Sequence, residues 1–245
     1  MKLDAGKVGV VTGAASGIGF GLAERFARDG LEVVLADVDE GALASAADRI
    51  GALGVQTLAV PTDVSDNQAV EALAGAAVER FGSVHVVCNN AGVSSSADPW
   101  FGPLSVWEWV LGVNVWGVIH GIRAFLPILI TSNQGQGHIV NTASIAGLNP
   151  GSGPAYAASK HAVVALSEEL FKTTKMVGLP IGVSVLCPGW VRTAIMDADK
   201  LATAPRREPA SGAGGRGAAT PLRPGNRRGN GPCCYCRCRC RGDRF

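Results

Sequence analysis

Residues 7–30 read KVGVVTGAASGIGFGLAERFARDG, and the order of residue types in them decides the fold. Residues 7–12 are a short Val-rich apolar run, the pattern of a buried strand. Gly13, Gly17 and Gly19 follow as a GxxxGxG turn, and the next stretch, GFGLAERFARDG, has the apolar spacing of a helix closed by Gly30. Strand, glycine-rich turn and helix in that order open a parallel α/β unit. Glycine lets the backbone turn tightly and approach a phosphate, and the helix N-terminus offers free N–H groups and a favourable dipole to an anion. Glycine turns after strands are common, so the strand and helix on either side give the motif its weight.

The same alternation continues to about residue 190. Strands are expected over 7–12, 32–36, 55–60, 84–88, 137–141 and 181–186, with helices between them, including 40–50, a segment capped by Ser65 or Asp66, and a long one over 105–130. That is a doubly wound parallel sheet in a three-layer, Rossmann-type single domain, with ligands at the C-terminal ends of the strands. Asp37 ends the second strand 18 residues after Gly19, near the spacing of an acid that holds an adenosine ribose. Its carboxylate would repel a 2′-phosphate, and neither AASGI nor DVDE contains Lys or Arg, which favours NAD over NADP. Asp37 is also placed to cap the next helix, and Asp37 and Asp39 can divide these tasks.

At the same sheet edge lies SIAGLNPGSGPAYAASK, residues 144–160. Tyr156 and Lys160 are four apart on a helix and share a face. A neighbouring ammonium stabilises a phenolate, so Lys160 is expected to lower the Tyr156 pKa and make it an acid/base near neutrality. Asn114, within GVNVWGV, is locally unfavourable in a helix interior and calls for a kink, a buried water or both. Asn89-Asn90-Ala91-Gly92 follows the fourth strand, where Asn side chains can fix the turn.

Bulk composition narrows the class. The 245 residues are 47% hydrophobic and 6% aromatic, enough for a Val, Ala, Leu and Ile core. Residues 1–200 carry 12 Lys+Arg against 18 Asp+Glu, and residues 201–245 carry 10 Arg against 2 acids, so the net +2 hides an acidic body and a basic tail. No signal peptide is evident, the run VNVWGVIHGIRAFLPILI is broken by His120, Arg123 and Pro127, and Cys88 and Cys187 sit in apolar runs. A reduced, cytoplasmic protein is the expectation.

In sum these residues resemble the short-chain dehydrogenase/reductases. Thr12-Gly13-x-x-x-Gly17-x-Gly19, Asn89-Asn90-Ala91-Gly92, Asn114, Ser144, Tyr156-x-x-x-Lys160 and Pro188-Gly189 stand in that family's order and spacing, over about residues 5–195. The resemblance implies hydride transfer between NAD(H) and a secondary alcohol or ketone. Tyr156 would be the acid/base, Lys160 its tuner and a ribose ligand, Ser144 the partner of the substrate oxygen, and Asn114 the anchor of a proton-relay water. Thr12, Gly13, Ser16, Gly17, Ile18 and Gly19 would wrap the pyrophosphate. Asp37 would bind the adenosine ribose, Asp63 and Val64 would flank the adenine, and Asn90, Ala91 and Gly92 would line the cleft. Pro188, Gly189, Val191 and Thr193 would face the nicotinamide. No metal is implied. Ser94, Ser95, Ser96, Leu148, Asn149 and Trp190 are the expected pocket positions, for a moderately apolar small-molecule substrate. Trp100, Phe101, Trp107 and Trp109 are read as core or dimer contacts, and His161 as structural.

After Asp199 the resemblance stops. Residues 201–245 are rich in Arg, Gly, Pro, Ala and Cys, without apolar periodicity, and are expected to be disordered. This is the composition of GC-rich codons in a wrong frame, so the tail is read as a frameshifted C-terminus in place of the family's substrate lid and seventh strand. CCYCRCRC lacks the paired CxxC clusters of a zinc site, and an Arg-rich tail implies no specific nucleic acid. The expected assembly is a homodimer through the Asn114 and Tyr156 helices, with a tetramer disfavoured. The alternative function is a non-catalytic or impaired nucleotide-binding homologue; an epimerase or dehydratase on the same fold is also compatible with the motifs.

Overall fold

A computed structural model of the chain describes residues 3–97, 100–132, 136–149, 151–191, 193 and 195. The tail expected over 201–245 lies outside the described residues. Strand β1 (Val8–Thr12) leads into α1 (Gly17–Arg28), β2 (Glu32–Asp37) into α2 (Glu40–Gly51), and β3 (Thr57–Pro61) into α3 (Asn67–Phe81). Strand β4 (Val86–Asn89) is followed by α4 (Ser105–Leu111), a π-helical turn (Gly112–Trp116) and α5 (Gly117–Ser132). Strand β5 (Gly137–Thr142), a 3₁₀ turn (Ile145–Gly147), α6 (Pro154–Met176) and β6 (Ile181–Leu186) complete the described part.

The six strands are parallel, in the order β3-β2-β1-β4-β5-β6. The order reverses between β1 and β4, so the crevice for a ligand opens there. Strand residues alternate between two cores, as period-2 geometry demands. Val10, Val34 and Val87 face a layer with Leu73, Phe125 and Leu129. Val11, Val33, Leu35 and Cys88 face Phe26, Leu43 and Ile50. Ser105–Ser132 is by length and mean hydropathy of 1.6 apolar enough to cross a membrane. The charge- and proline-based objection to such a span is thus incomplete, and the packing supplies the reason for the composition: Phe125 and Leu129 are buried in the core beside β4 and β5.

Caps divide as the acids allow. Asp39, and not Asp37, caps α2, accepting from the Ala42 N–H at 3.0 Å. Asp66 caps α3 through the Gln68 N–H. The long helix expected over 105–130 is interrupted: the π turn inserts at Gly112–Trp116 and re-aims Asn114.

The opposite end of the sheet carries a pH dependence. His85 Nδ1 accepts from the Val8 N–H at 3.1 Å, and His138 Nε2 lies 2.9 Å from Ser184 Oγ. Burial lowers the pKa of both rings; for His85 the Lys7 charge adds to this and Asp4 opposes it. A lowered folded pKa means that the unfolded chain takes up protons first. Stability is therefore complete above about pH 6.5 and falls as the pH drops below it. Urea melts at pH 7.5 and 5.5 are expected to show this loss, and His85→Gln to shrink it; an unchanged pH slope in the variant would remove His85 from the account.

Candidate active site

The glycine turn is built for close approach. Gly13 and Gly17 have φ of 65° and 54°, in the left-handed region that side chains avoid. A Cβ on Gly19 would stand 2.0 Å from the Gly13 carbonyl oxygen, so only glycine lets α1 start against this turn. Ser16, the α1 N-cap residue, makes no side-chain cap bond, so no serine oxygen occupies the first-turn N–H groups. The Ala14 N–H bonds the Ala36 carbonyl at 3.0 Å, and Asp37 accepts from the Ala15 N–H at 3.0 Å and the Asp39 N–H at 3.1 Å. The second strand's acid is thus latched to the glycine turn. Thr193 lies over it too, since a Cβ on Gly17 would be 3.1 Å from Thr193 Cγ2.

Thr12 and Asn90 stitch three strand ends together. Thr12 Oγ1 accepts from the Asn90 N–H at 2.9 Å and the Ala91 N–H at 3.1 Å. Asn90 Nδ2 donates to the Thr12 carbonyl at 3.0 Å, while its Oδ1 accepts from Thr142 Oγ1 at 3.2 Å. What Thr12 offers a ligand is therefore backbone, because its hydroxyl is buried in this seam. Asp63 Oδ1 accepts from the Ser65 N–H and hydroxyl at 2.9 and 2.7 Å. The Val64 side chain is in the core against Gly117 and is not open to a ligand, and its carbonyl takes His120 Nδ1 at 2.9 Å.

The fully buried Asn114 clasps the loop after β4. Its Oδ1 accepts from the Val93 N–H at 2.8 Å, and its Nδ2 donates to the Val93 carbonyl at 2.9 Å and to Ser159 Oγ at 3.0 Å. Ser159 Oγ in turn donates to the Tyr156 carbonyl at 2.7 Å. Asn114 is thereby coupled to the turn of α6 that carries both Tyr156 and Lys160.

Lys160, 2% exposed, donates through Nζ to the Thr142 carbonyl at 2.9 Å and lies 5.6 Å from the Tyr156 ring centroid. Burial pulls its pKa down to about 8, with Cys187 opposing. A Cβ on Gly92 would sit 3.2 Å from Lys160 Nζ and 3.3 Å from Asn114 Oδ1, so these two polar atoms converge where Gly92 has no side chain. Ser144 Oγ accepts from the Ala146 N–H at 3.1 Å. Burial raises the Tyr156 pKa, and the nearby Ser144 side chain opposes the rise. This corrects the expected lowering by Lys160: the ammonium is turned to the Thr142 carbonyl, and desolvation of the phenol dominates.

Ile145 donates to the Pro188 carbonyl at 2.9 Å and Ala143 to the Leu186 carbonyl at 2.8 Å, so the Ser144 segment is tied to the Pro188-Gly189 loop. Trp190 and Val191 beyond it are exposed, as are Leu148, Trp100 and Phe101. At 70% and 93% exposure Trp100 and Phe101 are not core, which removes that half of the core-or-dimer-contact reading, whereas Trp107 and Trp109 pack on Val93, Val110 and Ala155. His161 Nδ1 is 2.8 Å from the Ala157 carbonyl, away from the site.

A second buried polar chain was not singled out in the sequence. Asn89 Nδ2 donates to Asn141 Oδ1 at 2.8 Å, Asn141 Nδ2 to Ser167 Oγ at 3.0 Å, and Ser167 Oγ to the Val163 carbonyl at 2.7 Å. Asn89 Oδ1 has no hydrogen-bond partner among the described residues and lies where a Gly121 Cβ would be 1.9 Å away. The signal was present: Ala155, Ser159, Val163 and Ser167 form an i, i+4 stripe, and two serines on a core-facing stripe call for polar partners.

Comparison with known proteins agrees with this geometry. A family model described as short chain dehydrogenase matches residues 7–203. A 1-deoxy-11-beta-hydroxypentalenate dehydrogenase of Streptomyces avermitilis is 45% identical over 187 residues, 75% of this chain and 68% of that protein. The crystal structure of a short chain dehydrogenase/reductase from Burkholderia phymatum in complex with NAD is 48% identical, covers 87% of this chain and 76% of that one, and has a TM-score of 0.78. That of a 3-ketoacyl-(acyl-carrier-protein) reductase from Brucella melitensis complexed with NADH is 33% identical, with 79% of each chain covered and a TM-score of 0.72. Shared order of strands and shared sequence over most of both chains place this protein in the short chain dehydrogenase family, oxidoreductases that act on alcohols with a nicotinamide cofactor.

Proposed function

We propose that this chain interconverts a secondary alcohol and its ketone with NAD as the cofactor and Tyr156 as the acid/base. The observation that carries the reading is Tyr156 beside the buried Lys160 ammonium, 5.6 Å from its ring, with the Ser144 side chain acting on the same hydroxyl. A substrate hydroxyl between Ser144 and Tyr156 would lose its proton to the deprotonated Tyr156 oxygen, and Ser144 would hold the oxygen as it becomes a carbonyl. A nicotinamide bounded by Pro188, Gly189, Val191 and Thr193 would supply the hydride acceptor for the carbinol carbon. Lys160, held on the Thr142 carbonyl, would position the ribose of the cofactor beside Tyr156. Asn114 Oδ1 and Lys160 Nζ, converging beside Gly92, support a water-linked path for the proton.

The residues fit a dinucleotide. The cradle at Gly13, Gly17 and Gly19 would be filled by any side chain, and the N-terminus of α1 faces it. Thr12, Gly13, Ser16, Gly17, Ile18 and Gly19 would hold the pyrophosphate mainly by backbone. Asn90, Ala91 and Gly92 would border the cleft, and Pro188, Gly189, Val191 and Thr193 would bound the nicotinamide end. Asp37 supports NAD over NADP, because a carboxylate repels a 2′-phosphate. Fluorescence titration is expected to find NADH bound about tenfold or more tighter than NADPH, and Asp37→Ala to abolish that preference, a change of about 1.4 kcal/mol. Equal affinities in the unsubstituted chain would end the assignment to NAD.

A further inference from the structure

Tyr156 forms part of the wall of a cavity of about 180 Å³, shared with Ser95, Ser96, Val106, Val110 and Pro154. None of the described side chains lining it is charged. Val110 is buried in a cluster with Val93 and Ala155, backed by Trp107 and Trp109, so this wall is rigid and apolar. Ser95 and Ser96 bring only neutral hydroxyls, and Ser95 Oγ already accepts from the Ala97 N–H at 3.1 Å. An apolar cavity of about 150 Å³ takes a benzene ring. The space beside Tyr156 therefore matches one six-membered ring with a small substituent. Leu104, Leu148 and Trp190, on loops leaving the same sheet edge, are 75%, 58% and 92% exposed.

We infer that the substrate is a neutral alicyclic secondary alcohol whose ring occupies the cavity between Val106, Val110 and Pro154, with its carbinol carbon at Tyr156. This rests on the alcohol-oxidising reading above and narrows it. A hydroxy acid would bury a carboxylate with no cation among the described lining residues, and an acyclic polyol would bring more hydroxyls than two serines can pair. Oxidation removes a hydride from the ring carbon to the nicotinamide and a proton from its hydroxyl to Tyr156, leaving the cyclic ketone.

The test uses the full chain with NAD and follows NADH production from cyclohexanol, xylitol and lactate. Cyclohexanol is expected to exceed the other two by about a hundredfold in kcat/KM, in the range that unpaired polar groups produce. Val106→Asp places a carboxylate in the cavity wall while suiting the N-terminal turn of α4. It should raise the KM for cyclohexanol about tenfold or more, leaving NADH affinity and melting temperature unchanged. Quenching of bound NADH fluorescence by cyclohexanone gives a readout without turnover, and the variant should weaken it in parallel. Preference for xylitol or lactate, or an unchanged KM and cyclohexanone affinity in Val106→Asp, overturns the inference while leaving the dehydrogenase reading intact. Absence of NADH binding, or NADH binding without oxidation of any of the three alcohols, removes that reading and the inference with it.

Discussion

Tyr156→Phe is expected to lower kcat for alcohol oxidation about a thousandfold while changing NADH affinity by less than about threefold. A positioned acid/base contributes about 10²–10⁴ in rate. Phenylalanine keeps the ring in the same half-buried place and removes only the hydroxyl. Initial rates under saturating cofactor, beside a fluorescence titration with NADH, separate the two quantities. A variant retaining a tenth of the wild-type rate would mean that proton transfer runs through another group. A loss of NADH affinity as large as the loss of rate would mean that the ring positions the cofactor more than it handles the proton.

The largest effect on stability is expected at Asn114. Asn114→Ala removes a buried amide that satisfies both the N–H and the carbonyl of Val93 and donates to Ser159. Each buried polar group left without a partner costs about 1–3 kcal/mol, so the substitution should destabilise the fold by about 3–5 kcal/mol. Urea denaturation measures this directly. Asn114→Asp tests the clasp by another route: it keeps the acceptor for Val93 N–H but puts an oxygen opposite the Val93 carbonyl, and should recover only part of the loss. A change below 1 kcal/mol for Asn114→Ala would show that water replaces the amide and that the π turn does not depend on it.

The two aspartates illustrate what could be read from sequence. Strand endings and helix starts are local matters, so a caps-and-spacing argument separates Asp37 from Asp39, and the structure makes Asp39 the cap and latches Asp37 to Ala15. The β6 range is the one expected, because an apolar run bounded by Pro180 and Pro188 leaves little choice. Asn114 marked where the 105–130 helix would be interrupted, but not that the interruption is a π turn. Its cause is the distance from Asn114 to Val93, a tertiary requirement that composition does not carry. The direction of the Tyr156 shift was misread for a related reason. Spacing shows that Tyr156 and Lys160 share a helix face, but not that the ammonium is spent on the Thr142 carbonyl or how much the phenol is desolvated. The Val64 side chain packs in the core and the Thr12 hydroxyl bonds the Asn90 N–H, which spacing alone does not tell.

Lys160 also weighs on the folding equilibrium. Its pKa falls from 10.5 in the unfolded chain to about 8 in the native one, which corresponds to about 3 kcal/mol of native-state destabilisation. Below pH 8 both states hold the proton and this burden is complete; it is relieved only as the pH rises toward 10.5, where both states are neutral. A domain's whole margin is about 5–15 kcal/mol, so a sizeable part of it is given up to keep one ammonium dry beside Tyr156. Substitutions that stabilise the chain most readily will therefore tend to be those that discharge or remove this group, and selection for thermal resistance alone would act against its chemistry.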